Sequence, residues 1–315
     1  MQGEASRLYG PVRPDLRTSD LFSRYKPTLR KVAIGLAHGV LGELWQGPVD
    51  NTTAVISLPM SSFSRATLLQ SIVDGPRVTQ LTPLRQSALD VFQRRFPAAT
   101  VPCGQWLFDS NLAVGHGMAS STADIVALIR CLADATGEVL CEEDLTSMLC
   151  AIERSDPVFR PSITLYKTSQ QKVVEDFGTE NSFYACYVLS GDGVETGRML
   201  ESDLLRTYKR FASEYAISLE RARKGLRARD LEAVAKEATF SALVAQNYLP
   251  NPLVFELASD YQKFGALGIS RAHTGSVVAL LFADPLSVLD KECLSSYFYA
   301  RGLVARFEKV GTHGI

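Results

Sequence analysis

Gly115-His116-Gly117-Met118-Ala119-Ser120-Ser121-Thr122-Ala123-Asp124 sets glycines and small residues directly before a helical pattern that carries hydroxyls in its first turn. A helix that starts this way leaves main-chain N–H groups unpaired at the positive end of its dipole. Small side chains let an anion come close, so the stretch predicts a phosphate cradle built from backbone. It is not a Walker loop, because no G-x-x-x-x-G-K-[ST] occurs in the chain. Taken alone, the same ten residues also describe an ordinary serine-capped helix. The neighbouring segments have to decide.

From residue 119 to 135 the apolar positions Ile125, Leu128, Ile129 and Leu132 recur at helical spacing, and Gly137 supplies a stop. A second helix is expected over 142–152, with Glu142, Glu143 and Asp144 in its first turn. On the N-terminal side, 31–44 reads as a strand breaking into a glycine-bearing loop. Residues 53–58 and 66–69 read as paired strands around a turn at 59–64. A helix over 84–95, a strand over 100–108 and a turn at 109–111 follow. On the C-terminal side, FYACYVL at 183–189 predicts a buried strand. Long helical patterns then cover 204–227, 231–248 and 253–267. Next come a Gly- and Ser-rich loop (GISRAHTGS), a strand over 277–282, a helix over 286–298 and a strand over 303–309. This alternation predicts two α+β layers. The division is a polar extension at 1–30, an N-terminal domain at 31–190 carrying the phosphate loop, and a C-terminal domain at 191–315.

Length and composition narrow the function. A chain of 315 residues can bury one large core or two modest ones, and 46% apolar with 21% charged residues is ordinary for a globular protein. The net charge of −1 argues against a nucleic-acid partner. Six cysteines without a C-x-x-C pair read as buried free thiols. No apolar run of signal-peptide or membrane-spanning length occurs, so a cytoplasmic location without membrane attachment is expected.

Four islands carry candidate chemistry. The first is Ala37-His38-Gly39-Val40-Leu41-Gly42-Glu43-Leu44, and the second is the phosphate loop. The third is Ile152-Glu153-Arg154-Ser155-Asp156-Pro157, at the end of the helix expected after the phosphate loop; its carboxylates are of the hard-oxygen kind that Mg²⁺ takes beside phosphates. The fourth is Gly268-Ile269-Ser270-Arg271-Ala272-His273-Thr274-Gly275-Ser276-Val277. Each has a plain counterpart: a solvated loop carboxylate, a capped helix, a charged helix end, a polar turn.

Together and in this order the islands resemble the GHMP kinases (galactokinase, homoserine kinase, mevalonate kinase, phosphomevalonate kinase). The Met-Ala-Ser-Ser-Thr-Ala-Asp variant resembles most the L-threonine kinase branch that serves cobalamin side-chain assembly. The resemblance implies an N-terminal ribosomal-protein-S5-like α/β domain and a C-terminal ferredoxin-like α+β domain. It implies ATP and Mg²⁺ as cofactors, with Gly115, His116, Gly117, Met118, Ala119, Ser120, Ser121 and Thr122 around the nucleotide phosphates. Ser120 or Ser121 would offer a hydroxyl to metal or phosphate. Aligned with the family's Gly-Leu-Gly-Ser-Ser, Ser121 takes the metal position beside Glu153, and Ala119 replaces a glycine. Asp156 would accept or orient the substrate's hydroxyl proton, and Arg271 would neutralise phosphate charge. Glu43, His38, Gly42, His273, Thr274 and Gly275 would surround the substrate. The threonine kinases carry a similar Ile-Glu-Pro-Thr-Asp-Ser segment; here Arg154, Ser155 and Pro157 depart from it. The implied substrate is a small hydroxy-amino acid, most simply L-threonine. Serine, homoserine, a specialised-metabolite amino acid, a non-catalytic sensor and self-association as a homodimer stay open.

Overall fold

A computed structural model describes residues 31–70, 81–191 and 201–311, so the expected extension at 1–30 lies outside the described residues. The N-terminal half is organised by one long antiparallel hairpin, β1 (Val32–Val49) with β2 (Thr52–Gln70). Asp50 and Asn51 turn it with φ of 47° and 60°, the paired positive values that suit the twist of a two-residue hairpin.

The glycine-bearing loop expected within 31–44 and the turn expected at 59–64 are both strand. Glycine and proline usually end a strand, but here they sit in bulges and at changes of partner. β1 shifts register at His38/Val40, Val40/Glu43 and Glu43/Trp45. β2 leaves β4 (Thr164–Lys167) after Ile56, meets β9 (Arg306–Val310) at Met60, and pairs with β3 (Gly104–Ser110) from Ser64 onward. The turn expected at 109–111 is partly strand as well, since β3 runs through Ser110. β4 and its hairpin partner β5 (Lys172–Asp176) were not foreseen.

The helices of this half are α1 (Pro83–Arg95), α2 (Ser120–Thr136) and α3 (Glu142–Cys150). α2 ends at Gly137, whose φ of 81° lets its N–H bond Ala133 O. α3 stops earlier than expected, leaving Glu153 and Asp156 in the loop behind it. Pro157 disfavours helical backbone at Asp156, so the helix cannot run through that residue.

In the C-terminal half, β6 (Phe183–Leu189), β7 (Gly268–Arg271), β8 (Val277–Phe282) and β9 form an antiparallel sheet in the order β7-β8-β6-β9. Helices α4 (Glu201–Arg210), α5 (Ala212–Ala228), α6 (Leu231–Val244) and α7 (Pro252–Asp260) connect β6 to β7, and α8 (Val288–Tyr299) connects β8 to β9. This is the ferredoxin-like βαββαβ order. Because β6 pairs with β8 and β9, a boundary drawn by strand pairing falls just before Phe183. The first half of the expected 268–276 loop is strand β7.

The two halves share one sheet through Glu43↔Arg271 and Met60↔Val310. A second apolar cluster, including Val188, Leu257, Leu280 and Phe298, fills the space between the C-terminal sheet and α7 and α8. The six cysteines are free; Cys131 and Cys186 are buried as expected, whereas Cys141, Cys150 and Cys293 are exposed. Among the described residues no helix is long and apolar enough to cross a membrane.

Candidate active site

The phosphate loop is wedged between β1 and the β7–β8 connection. Val40 N–H donates to Met118 O at 3.2 Å, and Ser276 and Val277 N–H both donate to His116 O at 3.1 Å. A Cβ on Gly275 would lie 2.2 Å from the His116 carbonyl, and one on Gly117 (φ 81°) would lie 2.3 Å from the Ala272 Cβ. Only glycine fits at either place, so islands two and four are packed directly on each other. α2 begins behind this loop with no side-chain cap and no acid in its first turn. Its leading amides therefore point a partial positive charge outward, and the backbone fits a phosphate there.

Ser121 Oγ donates to Glu153 Oε1 at 3.1 Å, and Thr122 Oγ1 donates to the same oxygen at 2.8 Å. Two hydroxyls and a carboxylate at an anion-binding helix start are hard oxygen donors, and this set fits Mg²⁺ sharing its shell with phosphate oxygens and water. Burial raises the pKa of Glu153, and the hydrogen bonds from Thr122 and Ser121 oppose that rise. Gln171 fixes the loop: its Nε2 donates to Glu153 O at 3.0 Å, while its Oε1 accepts from Ser155 Oγ at 2.6 Å and from the Tyr166 hydroxyl.

Beside this pair lies a small cavity of about 40 Å³, lined by Glu43, Gln46, Arg154, Asp156, Thr168 and Thr274 among others. Asp156 is half-buried; its carbonyl accepts from Val158 N–H at 2.8 Å, while among the described residues its carboxylate receives no hydrogen bond. Burial pushes its pKa up to about 7; the charges of Glu43 and Glu153 add to the rise, and Arg154 works against it. Glu43 is buried, and its Oε2 accepts from His273 N–H and Nδ1, each at 2.9 Å.

Glu43, Asp156 and Thr274 thus line one cavity, and the Glu153 carboxylate that Ser121 contacts is close enough to Asp156 to act on its charge. Other expected site residues are placed differently. Arg271 is 1% exposed and spends its guanidinium on Ala272 O (3.1 Å) and Leu249 O (2.8 Å), so it braces backbone and has no route to phosphate. Burial also lowers its pKa. His38 is buried with its ring nitrogens against Gly39 O and Arg160 O, at 2.8 and 2.6 Å, and it anchors the 153–160 loop to β1 instead of facing substrate. Gly42 (φ 67°) serves the close approach of β1 to Arg271 and Ala272. His273 lies beneath Glu43, and its Nε2 contacts Ser241 Oγ at 2.9 Å. The ring of His116 contacts Ser276 Oγ at 2.5 Å.

Sequence reasoning missed Arg154 as a cavity residue and missed Gln171 and Gln46 entirely. A polar residue in an otherwise unremarkable strand or turn gives no pattern to follow. The Arg154 departure from the threonine kinase segment was the one visible signal.

Residues 84–159 match the family described as the GHMP kinases N terminal domain. The L-threonine kinase of Citrobacter freundii is 23% identical over 252 residues, covering 79% of this chain and 86% of that protein. That of Salmonella typhimurium strain LT2 is 25% identical over 262 residues, covering 79% and 83%. Among solved structures, L. major mevalonate kinase in complex with R-mevalonate superposes with a TM-score of 0.66 at 16% identity, over 90% of this chain and 96% of that one.

Proposed function

We propose that this chain, which matches the GHMP kinases N terminal domain over 84–159, transfers the γ-phosphoryl group of ATP to the hydroxyl of a small hydroxy-amino acid, with L-threonine giving O-phospho-L-threonine. The observation that carries this reading is the contact of Ser121 and Thr122 with Glu153 at the uncapped start of α2, one loop away from Asp156. Transfer of this kind depends on positioning and on neutralising charge. Bound Mg²⁺ would supply charge neutralisation across the phosphate oxygens.

The protein does the rest. Amides from Gly117 to Thr122 hold phosphate oxygens, and the glycine pair at 117 and 275 lets them approach. Glu153 and the hydroxyls of Ser121 and Thr122 provide the metal ligands. Asp156, with a pKa near neutrality, accepts or orients the proton of the attacking hydroxyl. The two L-threonine kinases at 23–25% identity support the choice of substrate class.

The test is ADP release with ATP, Mg²⁺ and a panel of L-threonine, L-serine, L-homoserine, mevalonate and galactose. Turnover confined to hydroxy-amino acids bears the reading out, and turnover confined to mevalonate or galactose overturns it. Binding of threonine without any ADP release would instead mark a ligand sensor.

A further inference from the structure

The acceptor cavity contains opposite charges that do not pair with each other. Among the described residues the Arg154 guanidinium makes neither an ion pair nor a hydrogen bond, although it is half-buried and lines the cavity. Across the same space, Glu43 uses only Oε2, which takes both donors of His273; Oε1 is left without a partner. A third group is unsatisfied as well: the Thr168 hydroxyl is buried, lines the cavity and has no hydrogen-bond partner.

Half-buried unpaired charges are costly unless a ligand completes them. A carboxylate and a guanidinium that line one cavity yet stand too far apart to touch leave a gap for a molecule carrying both opposite charges. A space of about 40 Å³ beside these groups is not filled by protein atoms.

The carboxylate is also held firmly. His273 Nδ1 faces two acceptors, Glu43 Oε2 at 2.9 Å and Arg271 O at 3.1 Å, so the neutral ring carries its proton there and Nε2 accepts from the Ser241 hydroxyl. That sets the ring to offer Nδ1–H to Glu43. The bonded oxygen is thereby fixed, and Oε1 keeps one orientation.

We infer that this cavity reads a zwitterion: Arg154 takes the substrate's carboxylate, Glu43 Oε1 takes its ammonium group, and Asp156 is left for the hydroxyl. The inference rests on the proposed hydroxy-amino acid kinase and adds the residues that make charge the basis of selection. An analogue lacking one charge leaves a buried partner unpaired, and sites of this kind reject such analogues strongly.

The experiment compares L-threonine with 1-amino-2-propanol, which lacks the carboxylate, and 3-hydroxybutyrate, which lacks the ammonium group. The wild-type protein is expected to lose about 100-fold or more in kcat/KM with each analogue. Arg154→Gln should raise KM for L-threonine far more than it lowers kcat, and should erase discrimination against 1-amino-2-propanol only. Glu43→Gln should erase discrimination against 3-hydroxybutyrate only. If L-threonine turns over and both analogues do so equally well in the wild type, the inference fails while the proposed function stands. If both variants lose all three compounds in equal proportion, it also fails. If no hydroxy-amino acid releases ADP but another alcohol does, the proposed function fails and takes the inference with it. The analogue series on the wild-type protein needs no variant to fold.

Discussion

The phosphate loop and the acceptor cavity adjoin each other but are built from opposite materials. The loop is backbone: glycines at 115 and 117, an uncapped helix start, and hydroxyls short enough to stay close to the main chain. The cavity is side chain: Glu43, Arg154 and Asp156 arrive from a strand and a loop far apart in sequence. The difference matters for what each can recognise. Amides at a helix start accept any phosphate, whereas a pair of fixed opposite charges accepts only a matching molecule. On the proposed function, generic binding belongs to the loop and selection to the cavity, and Glu153 stands where the two meet.

The severest way to break that division is at the junction. Glu153→Gln keeps the acceptor for the Ser121 and Thr122 hydroxyls, through its amide oxygen, so the fold should survive. It removes the one carboxylate of the metal set. We expect kcat to fall by about 100-fold or more, with a weaker response to added Mg²⁺. Steady-state ADP release across a Mg²⁺ titration checks this, and unchanged turnover would remove Glu153 from the metal site.

A smaller effect tests the loop's dependence on glycine. Gly275→Ala puts a methyl 2.2 Å from the His116 carbonyl, where the neighbour is backbone and cannot swing aside. Overpacking of this kind costs about 1–3 kcal/mol, and the displaced loop should bind ATP more weakly. A lowered Tm together with weaker nucleotide binding is the expected result. Affinity for the amino acid, measured without nucleotide, should change less if the two regions are as separate as their chemistry suggests.

The cavity is tested by pH. If Asp156 accepts the hydroxyl proton, kcat/KM should rise with pH and level off above about 7, the value to which burial pushes its carboxyl. Asp156→Asn should abolish that inflection. Linkage gives a second, independent sign. The folded-state pKa is raised above the unfolded value, so ionised Asp156 lowers stability increasingly as pH rises from about 4 to 7. Asparagine should then raise Tm more at pH 8 than at pH 5. An inflection that persists in the variant would assign the titration to another group.

How much of this was legible beforehand also follows the division. The loop and α2 could be read locally, because glycines, hydroxyls and a 3.6-residue apolar period are consecutive in the chain. The C-terminal strands could be read for the same reason, FYACYVL and VVALLF being short runs that are buried on both faces. The cavity could not. It depends on β1 and β2 running unbroken through Gly42 and Pro59, where bulges and changes of partner absorb residues that usually end a strand. It depends on α3 ending at Cys150, so that Glu153 and Asp156 hang from a loop. Arg271 misled for a related reason: its neighbours in sequence suggest a phosphate-facing loop, while its pairing with Glu43 across β1 and β7 buries it.

The mildest prediction falls on the loop's own irregularity. Ala119 caps α2 with φ 54°, ψ 33°, a left-handed conformation that alanine reaches at a cost of roughly 1–2 kcal/mol. Ala119→Gly removes the Cβ that causes this cost. It also frees the unfolded chain, which offsets about 0.4–1 kcal/mol of the gain. The net should be a stabilisation of between about 0 and 1.6 kcal/mol, visible as a small rise in Tm, with kcat nearly unchanged because the amides keep their directions. A fall in turnover without a fall in Tm would mean that the alanine's stiffness itself aims the amides. The backbone half of the site would then carry selection of its own, and the contrast with the cavity would weaken at that residue.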